Sequence, residues 1–294
     1  MITDIESATP ALCRLQLGSE LRQLRLAAGY NGRTVVRKLL WSPSKLTRLE
    51  TGENASVEPS DVIALCEIYG ATPEKRAMLQ GYAAVTKTRR DWWQSAEYRP
   101  VIGPGFKAYL GLEATASVQQ NYESEFVPGL LQTEAYVRQI YRHTHQGVSA
   151  EEIDSLVSVR MTRQGALYRR GSLLKLTAII NEAVLRRAVG GTKVMRDQLS
   201  HIVDVVTELP NVRVQVMPFS LGLHPGMNGP FIVLHFPGGA ALRPIVYVEN
   251  LSGAWVSRRE DDVAQYEEAF SDLQSLAPGP QESLSLIKEA VKEH

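Results

Sequence analysis

Cysteine is scarce. Two residues, Cys13 and Cys66, in 294 do not suggest a disulfide framework, and two cysteines this far apart do not make a metal site alone. Long apolar runs are missing as well; none approaches the ~20 residues that cross a bilayer. The first ten residues carry Asp4 and Glu6 where a signal peptide would have an apolar core. They read as a loose polar tail, and the chain reads as cytoplasmic with no membrane partner. Internal repeats and low-complexity tracts are absent. Residues 91–294 offer no nucleophile, base and oxyanion set, so no catalytic residue and no cofactor is expected. His143 and His145 lack carboxylate or thiol company, and Val189-Gly190-Gly191-Thr192-Lys193 lacks the spacing of a phosphate loop. No metal ligand is therefore expected.

Excess charge is missing overall, with 32 basic and 32 acidic residues, but it is unevenly spread. Between Arg14 and Glu50 eight basic residues meet two acidic ones, a net of +6. Residues 1–90 hold thirteen basic against nine acidic residues, and the remainder is acidic by four. A basic excess confined to one end is what a chain needs when only that end meets phosphates.

That end reads as a series of short helices. Leu17, Leu21, Leu24 and Ala28 recur at helical spacing before Gly29. Val35, Val36 and Leu39 mark a second helix. Ser42-Pro43 opens a third as cap and first residue, and Gly52 ends it. Ser60 caps a fourth helix running to Gly70, and Thr72-Pro73-Glu74 caps a fifth. In the third helix Leu46 and Leu49 must face inward. Ser44, Lys45, Thr47 and Arg48 stay free at its first turns, where a helix lying in a major groove reaches base edges.

Three blocks resemble the Cro/repressor (XRE) family of helix-turn-helix regulators. They are Leu17 to Arg25 with Ala28-Gly29, then Ser44-Lys45-Leu46-Thr47-Arg48-Leu49-Glu50-Thr51-Gly52, then Asp61 to Gly70. The resemblance implies a sequence-specific DNA-binding transcriptional regulator. Pro43, Ser44, Lys45, Thr47 and Arg48 would contact bases; Arg22, Asn31, Arg33 and Lys38 would contact phosphates. It also implies a structural salt bridge between Arg25 and Glu50. Two departures stand out. Asn31-Gly32-Arg33 replaces the glutamine that often opens the second helix, and Leu40-Trp41 stands where the turn often carries glycine. A homodimer is expected on double-stranded DNA, because operators of this family are commonly palindromic, with half-sites ~34 Å apart.

Beyond residue 90 the texture changes. Residues from Glu113 to about Tyr141 and from Glu151 to Arg170 read as helices. Leu173–Ile180, Val212–Met217, Phe231–Phe236 and Ile245–Val248 read as strands, with helices near Glu182–Arg187, Val194–Glu208, Asp261–Leu276 and Glu282–Lys292. Trp92-Trp93, Phe126-Val127-Pro128-Gly129-Leu130-Leu131-Gln132-Thr133-Glu134 and His224-Pro225-Gly226-Met227 resemble an actinobacterial, antitoxin-like subfamily of these regulators. Its members are often encoded beside a small partner protein. The expected fold is an all-α, five-helix, lambda-repressor-like domain over 11–85, a connector over 86–100, and a mixed α+β regulatory or partner-binding domain over 101–290. An enzyme or ligand-sensing domain fused to a helix-turn-helix domain is the alternative.

Overall fold

The computed structural model describes residues 8–54, 56–145, 147–169, 173–237, 242–251 and 253–294. The expected tail up to residue 7, and Arg170 at the end of an expected helix, lie outside them. By compactness the chain divides into two units. The first holds residues up to 95 with 110–115 and 236–243; the second holds 96–109, 116–235 and 244 onward.

The first unit is built from α1 (Pro10–Ala27), α2 (Gly32–Leu39), α3 (Pro43–Thr51), α4 (Pro59–Tyr69) and α5 (Pro73–Thr88). Helix α1 begins at Pro10, seven residues before the expected Leu17. The reason is local: Pro10 occupies the first turn, and Thr9 Oγ1 accepts from Leu12 N at 3.1 Å. The added turns bury Cys13 beside Leu17 and Leu21, in one core with Val35, Leu46, Leu49, Leu65, Cys66, Leu79 and Tyr82. Both cysteines are buried and unbridged. Helix α5 runs to Thr88, so the expected connector starts inside its last turn. There Trp93 is buried while Trp92 meets it edge-on, ring centroids 5.5 Å apart.

Where α1 crosses α3 the two backbones nearly touch. A Cβ on Gly18 would stand 2.4 Å from Leu49 O and 2.7 Å from Glu50 O. These are backbone atoms and cannot swing aside. Gly18→Ala is therefore expected to destabilise the unit by about 1–3 kcal/mol despite alanine's better helix propensity. Denaturant titration of the two chains measures this, and equal midpoints would contradict it.

The second unit carries a six-stranded sheet in the order β3-β2-β1-β4-β5-β6. The strands are β1 (Val118–Glu123), β2 (Lys175–Asn181), β3 (Val212–Met217), β4 (Phe231–His235), β5 (Ile245–Asn250) and β6 (Gly253–Ser257). Strands β1, β2 and β3 are parallel; β4, β5 and β6 add antiparallel pairs. Helices α7 (Glu134–Thr144) and α8 (Ala150–Gln164) connect β1 to β2. Helices α9 (Glu182–Arg186) and α10 (Thr192–Glu208) connect β2 to β3, and α11 (Glu260–Leu276) and α12 (Pro280–Glu293) close the chain. The four expected strands are present as β2 to β5. The helix expected from Glu113 to Tyr141 is not continuous: α6 (Pro104–Thr115) ends, β1 follows, and α7 starts only at Glu134.

Each strand alternates its side chains between two faces. One face is apolar. Tyr122, Ile179, Met217, Phe231, Val233 and Val246 pack there against Val263, Phe270 and Leu273 of α11. The other face carries Gln119, Asn121 and Glu123 of β1, in register with Leu176, Ala178 and Ile180 of β2.

Candidate nucleic-acid interface

Helices α2 and α3 form the pair that the sequence places against DNA. Asn31 caps α2, its Oδ1 accepting from Thr34 N at 2.9 Å and from Thr34 Oγ1 at 3.0 Å. Its acceptor is thus spent inside the protein, and the amide NH2 is the part of the side chain left to donate. Helix α2 ends on Leu40, whose φ of 55° is the only positive value among described non-glycine residues, and whose side chain is 92% exposed. The left-handed conformation that glycine usually supplies in such turns is here imposed on leucine, at a cost of roughly 1–2 kcal/mol. Trp41 next to it does not point away; it is half-buried and packs against the core.

Ser42 then caps α3, accepting from Lys45 N at 3.3 Å, with Pro43 in the first turn. Pro43, Ser44, Thr47 and Arg48 are all exposed. Ser44 Oγ lies 3.0 Å from Ser42 Oγ, and Thr47 Oγ1 donates back to Pro43 O at 3.1 Å. Lys45 is engaged more tightly than the sequence implied. Its Nζ sits 3.9 Å from the Trp41 ring centroid and 2.9 Å from Asp61 Oδ2. A base contact from Lys45 therefore has to break an ion pair first, whereas Arg48 is free to reach out.

The cations of this region fall into two sets. Arg25 is neutralised: its Nε and Nη2 donate to Glu50 Oε1 and Oε2 at 2.6 and 2.8 Å, and Nη1 donates to Tyr30 O at 2.9 Å. The bidentate bond holds the guanidinium even more firmly protonated than usual. Arg22, Arg33, Arg37 and Arg48 are exposed, and none pairs with an acid among the described residues. Lys38 is exposed too and lies 5.1 Å from the Tyr30 ring centroid. Arg37 was not singled out from sequence, although it follows Arg33 by one helical turn, the spacing that puts two side chains on one face.

Elsewhere, described residues include no group of three or more His, Cys, Asp or Glu side chains placed to hold a metal. No described helix is long and apolar enough to cross a membrane. His143 lies in the last turn of α7, and His145 Nδ1 pairs with Thr144 Oγ1 at 2.9 Å.

Residues 16–79 match a family model described as a helix-turn-helix domain, which points to a DNA-binding regulator. No curated protein and no solved structure matches the chain. Residues 106–289, more than half of the chain, match the family described as a domain of unknown function (DUF5753), and the chain belongs to that family.

Proposed function

We propose that this chain is a sequence-specific transcription regulator of the Cro/repressor (XRE) type that reads double-stranded DNA with α3 as a homodimer. The observation that carries this reading is the division of the cations just described. The arginine facing the core is neutralised by Glu50, while four exposed arginines on α1 to α3 are left without acids. Unpaired surface cations are what phosphate contact requires, since each one bound releases condensed counterions. In this reading Arg48 reads bases, and Arg22, Asn31, Arg33 and Lys38 hold phosphates; their exposure supports it.

The reading extends to an antitoxin-like role without catalysis, cytoplasmic and nucleoid-associated when bound. In it the second domain holds a small co-encoded partner. Phe219, Leu223 and Met227, which lie within one short segment and are each more than half exposed, give such a partner apolar surface to cover. Co-purification of the full chain with the product of a neighbouring small gene tests that part.

Genome-wide mapping of bound sites supplies the operator, and affinity across a salt series then tests the contacts. Arg48→Ala should weaken operator binding by about 1–3 kcal/mol while leaving random DNA nearly unchanged, the mark of a bidentate guanine contact. Lys38→Ala should weaken both duplexes alike and flatten the salt dependence by about one unit of slope. Equal losses on both duplexes for Arg48→Ala would make Arg48 a phosphate clamp.

A further inference from the structure

Three helices of the first unit give way to a left-handed glycine. Gly29 follows α1, Gly52 follows α3 and Gly70 follows α4, with φ of 73°, 73° and 68°. Lacking a Cβ, each takes that conformation at little cost. After α2 the same conformation falls on Leu40. The turn dictates it, because the N–H groups of Leu40 and Trp41 both return to Val36 O, the latter at 2.9 Å. A leucine held this way can offset its strain by packing, and Leu40 does not. Its neighbours Leu39 and Trp41 lie against the core, whereas Leu40 is 92% exposed. Strain and exposure on one apolar side chain both cost the free protein, and such outliers gather where a ligand is met.

The surroundings of Leu40 name the ligand. No acidic residue stands between Glu20 and Glu50 in the sequence. One turn back along α2, Arg37 and Lys38 are exposed, and just ahead Pro43 and Ser44 are exposed at the start of α3. The centre of a protein–protein contact is depleted of charge, which sets this leucine apart from one. A surface that meets a polyanion is basic, as this one is. Leucine has no donor to offer a phosphate, so its partner on DNA is an apolar group. It stands two residues ahead of Ser42, the cap of the helix read as entering the major groove. The apolar group that a base presents in that groove is the 5-methyl of thymine.

We propose that Leu40 is a specificity residue, whose side chain covers the 5-methyl group of a thymine at the edge of the major groove, next to the bases met by α3. The inference rests on the reading of α3 as the DNA-reading helix and adds to it a residue from outside that helix. The turn divides the work between two neighbours. Trp41 goes inward, its ring centroid 3.9 Å from Lys45 Nζ, and Leu40 is left outward at the mouth of the groove. Taking one methyl group out of water strengthens binding by about fourfold.

Affinity of the full chain for its mapped operator tests this, with each thymine replaced in turn by uracil, which removes only the methyl group. At one thymine the replacement should weaken wild-type binding by about fourfold and leave Leu40→Gly and Leu40→Asn unaffected. Glycine and asparagine both suit the left-handed backbone. Both variants should therefore melt at or above the wild-type temperature, while binding the thymine operator about fourfold more weakly and random DNA as before. The inference is overturned if both variants bind the operator as tightly as wild type, or if no uracil position distinguishes them from it. It is overturned too if they unfold several degrees lower, as they would were Leu40 structural. Loss of the dimer in Leu40→Gly, measured by light scattering, would give the leucine to a protein contact and overturn it as well. A wild type that prefers no sequence removes the reading of α3 and this inference with it; a wild type with an operator, beside indifferent variants, removes this inference alone.

Discussion

Replacing Glu50 with alanine is expected to lower the stability of the helix-turn-helix domain by about 3 kcal/mol, which for a domain of this size moves its melting temperature down by roughly 10–20 °C. Glu50 and Arg25 keep only 10% and 12% of their side chains exposed. The two parallel hydrogen bonds tie the first helix to the end of the third, and Arg25 also fastens Tyr30 at the entrance to α2. Removing the carboxylate strands a guanidinium away from water and away from its counter-charge. Removing both partners does not: Arg25→Met with Glu50→Leu should recover most of the loss, because the penalty belongs to the unpaired charge rather than to the absence of a bond. Calorimetry of wild type, both single variants and the double variant reads this directly. A melting temperature for Glu50→Ala equal to wild type would mean that water already solvates the pair.

Stability of the second domain should fall as pH rises through neutrality, and Glu123→Gln should remove that fall. Burial is the dominant cause of the high pKa of Glu123; Arg160, the hydrogen bond from Asn121 and Arg163 pull it down, and Glu249 pushes it up. A carboxyl whose folded pKa lies above its unfolded one holds its proton more tightly when folded. Its burial is therefore harmless below the ordinary value of 4.5, and increasingly costly as pH climbs towards about 8. The variant should match wild type within ~1 kcal/mol at acid pH and exceed it by about 2–4 kcal/mol in mild alkali. Denaturant titrations of the full chain across that range, following the second domain's transition, measure the difference. A difference that does not grow with pH would locate the carboxyl in water.

Much of the first domain was legible because its signals are local. Ser42-Pro43 caps and opens a helix wherever it stands, Gly52 and Gly70 stop one, and Leu46 with Leu49 can only face inward if Ser44, Thr47 and Arg48 face out. The later strands β2 to β5 announced themselves by β-branched apolar runs. Strand β1 did not, since Val118-Gln119-Gln120-Asn121-Tyr122-Glu123 has one β-branched residue and none of the apolar alternation that marks a half-buried strand. Only its neighbours make it a strand: β2 and β4 satisfy its backbone on both edges, and Tyr122 secures it to the apolar face. Tertiary contact likewise decided that Lys45 answers to Asp61 and that Trp41 packs inward. The sequence by itself determined where α3 begins and ends and that Ser44, Thr47 and Arg48 face outward, because capping and periodicity act within a few residues; the starts of α1, at Pro10, and of α4, capped at Glu58 and not at Ser60, it did not. The tertiary structure alone decided which polar groups share the end of β1, because they come from segments distant in sequence whose register is set by strand pairing and not by the chain next to them.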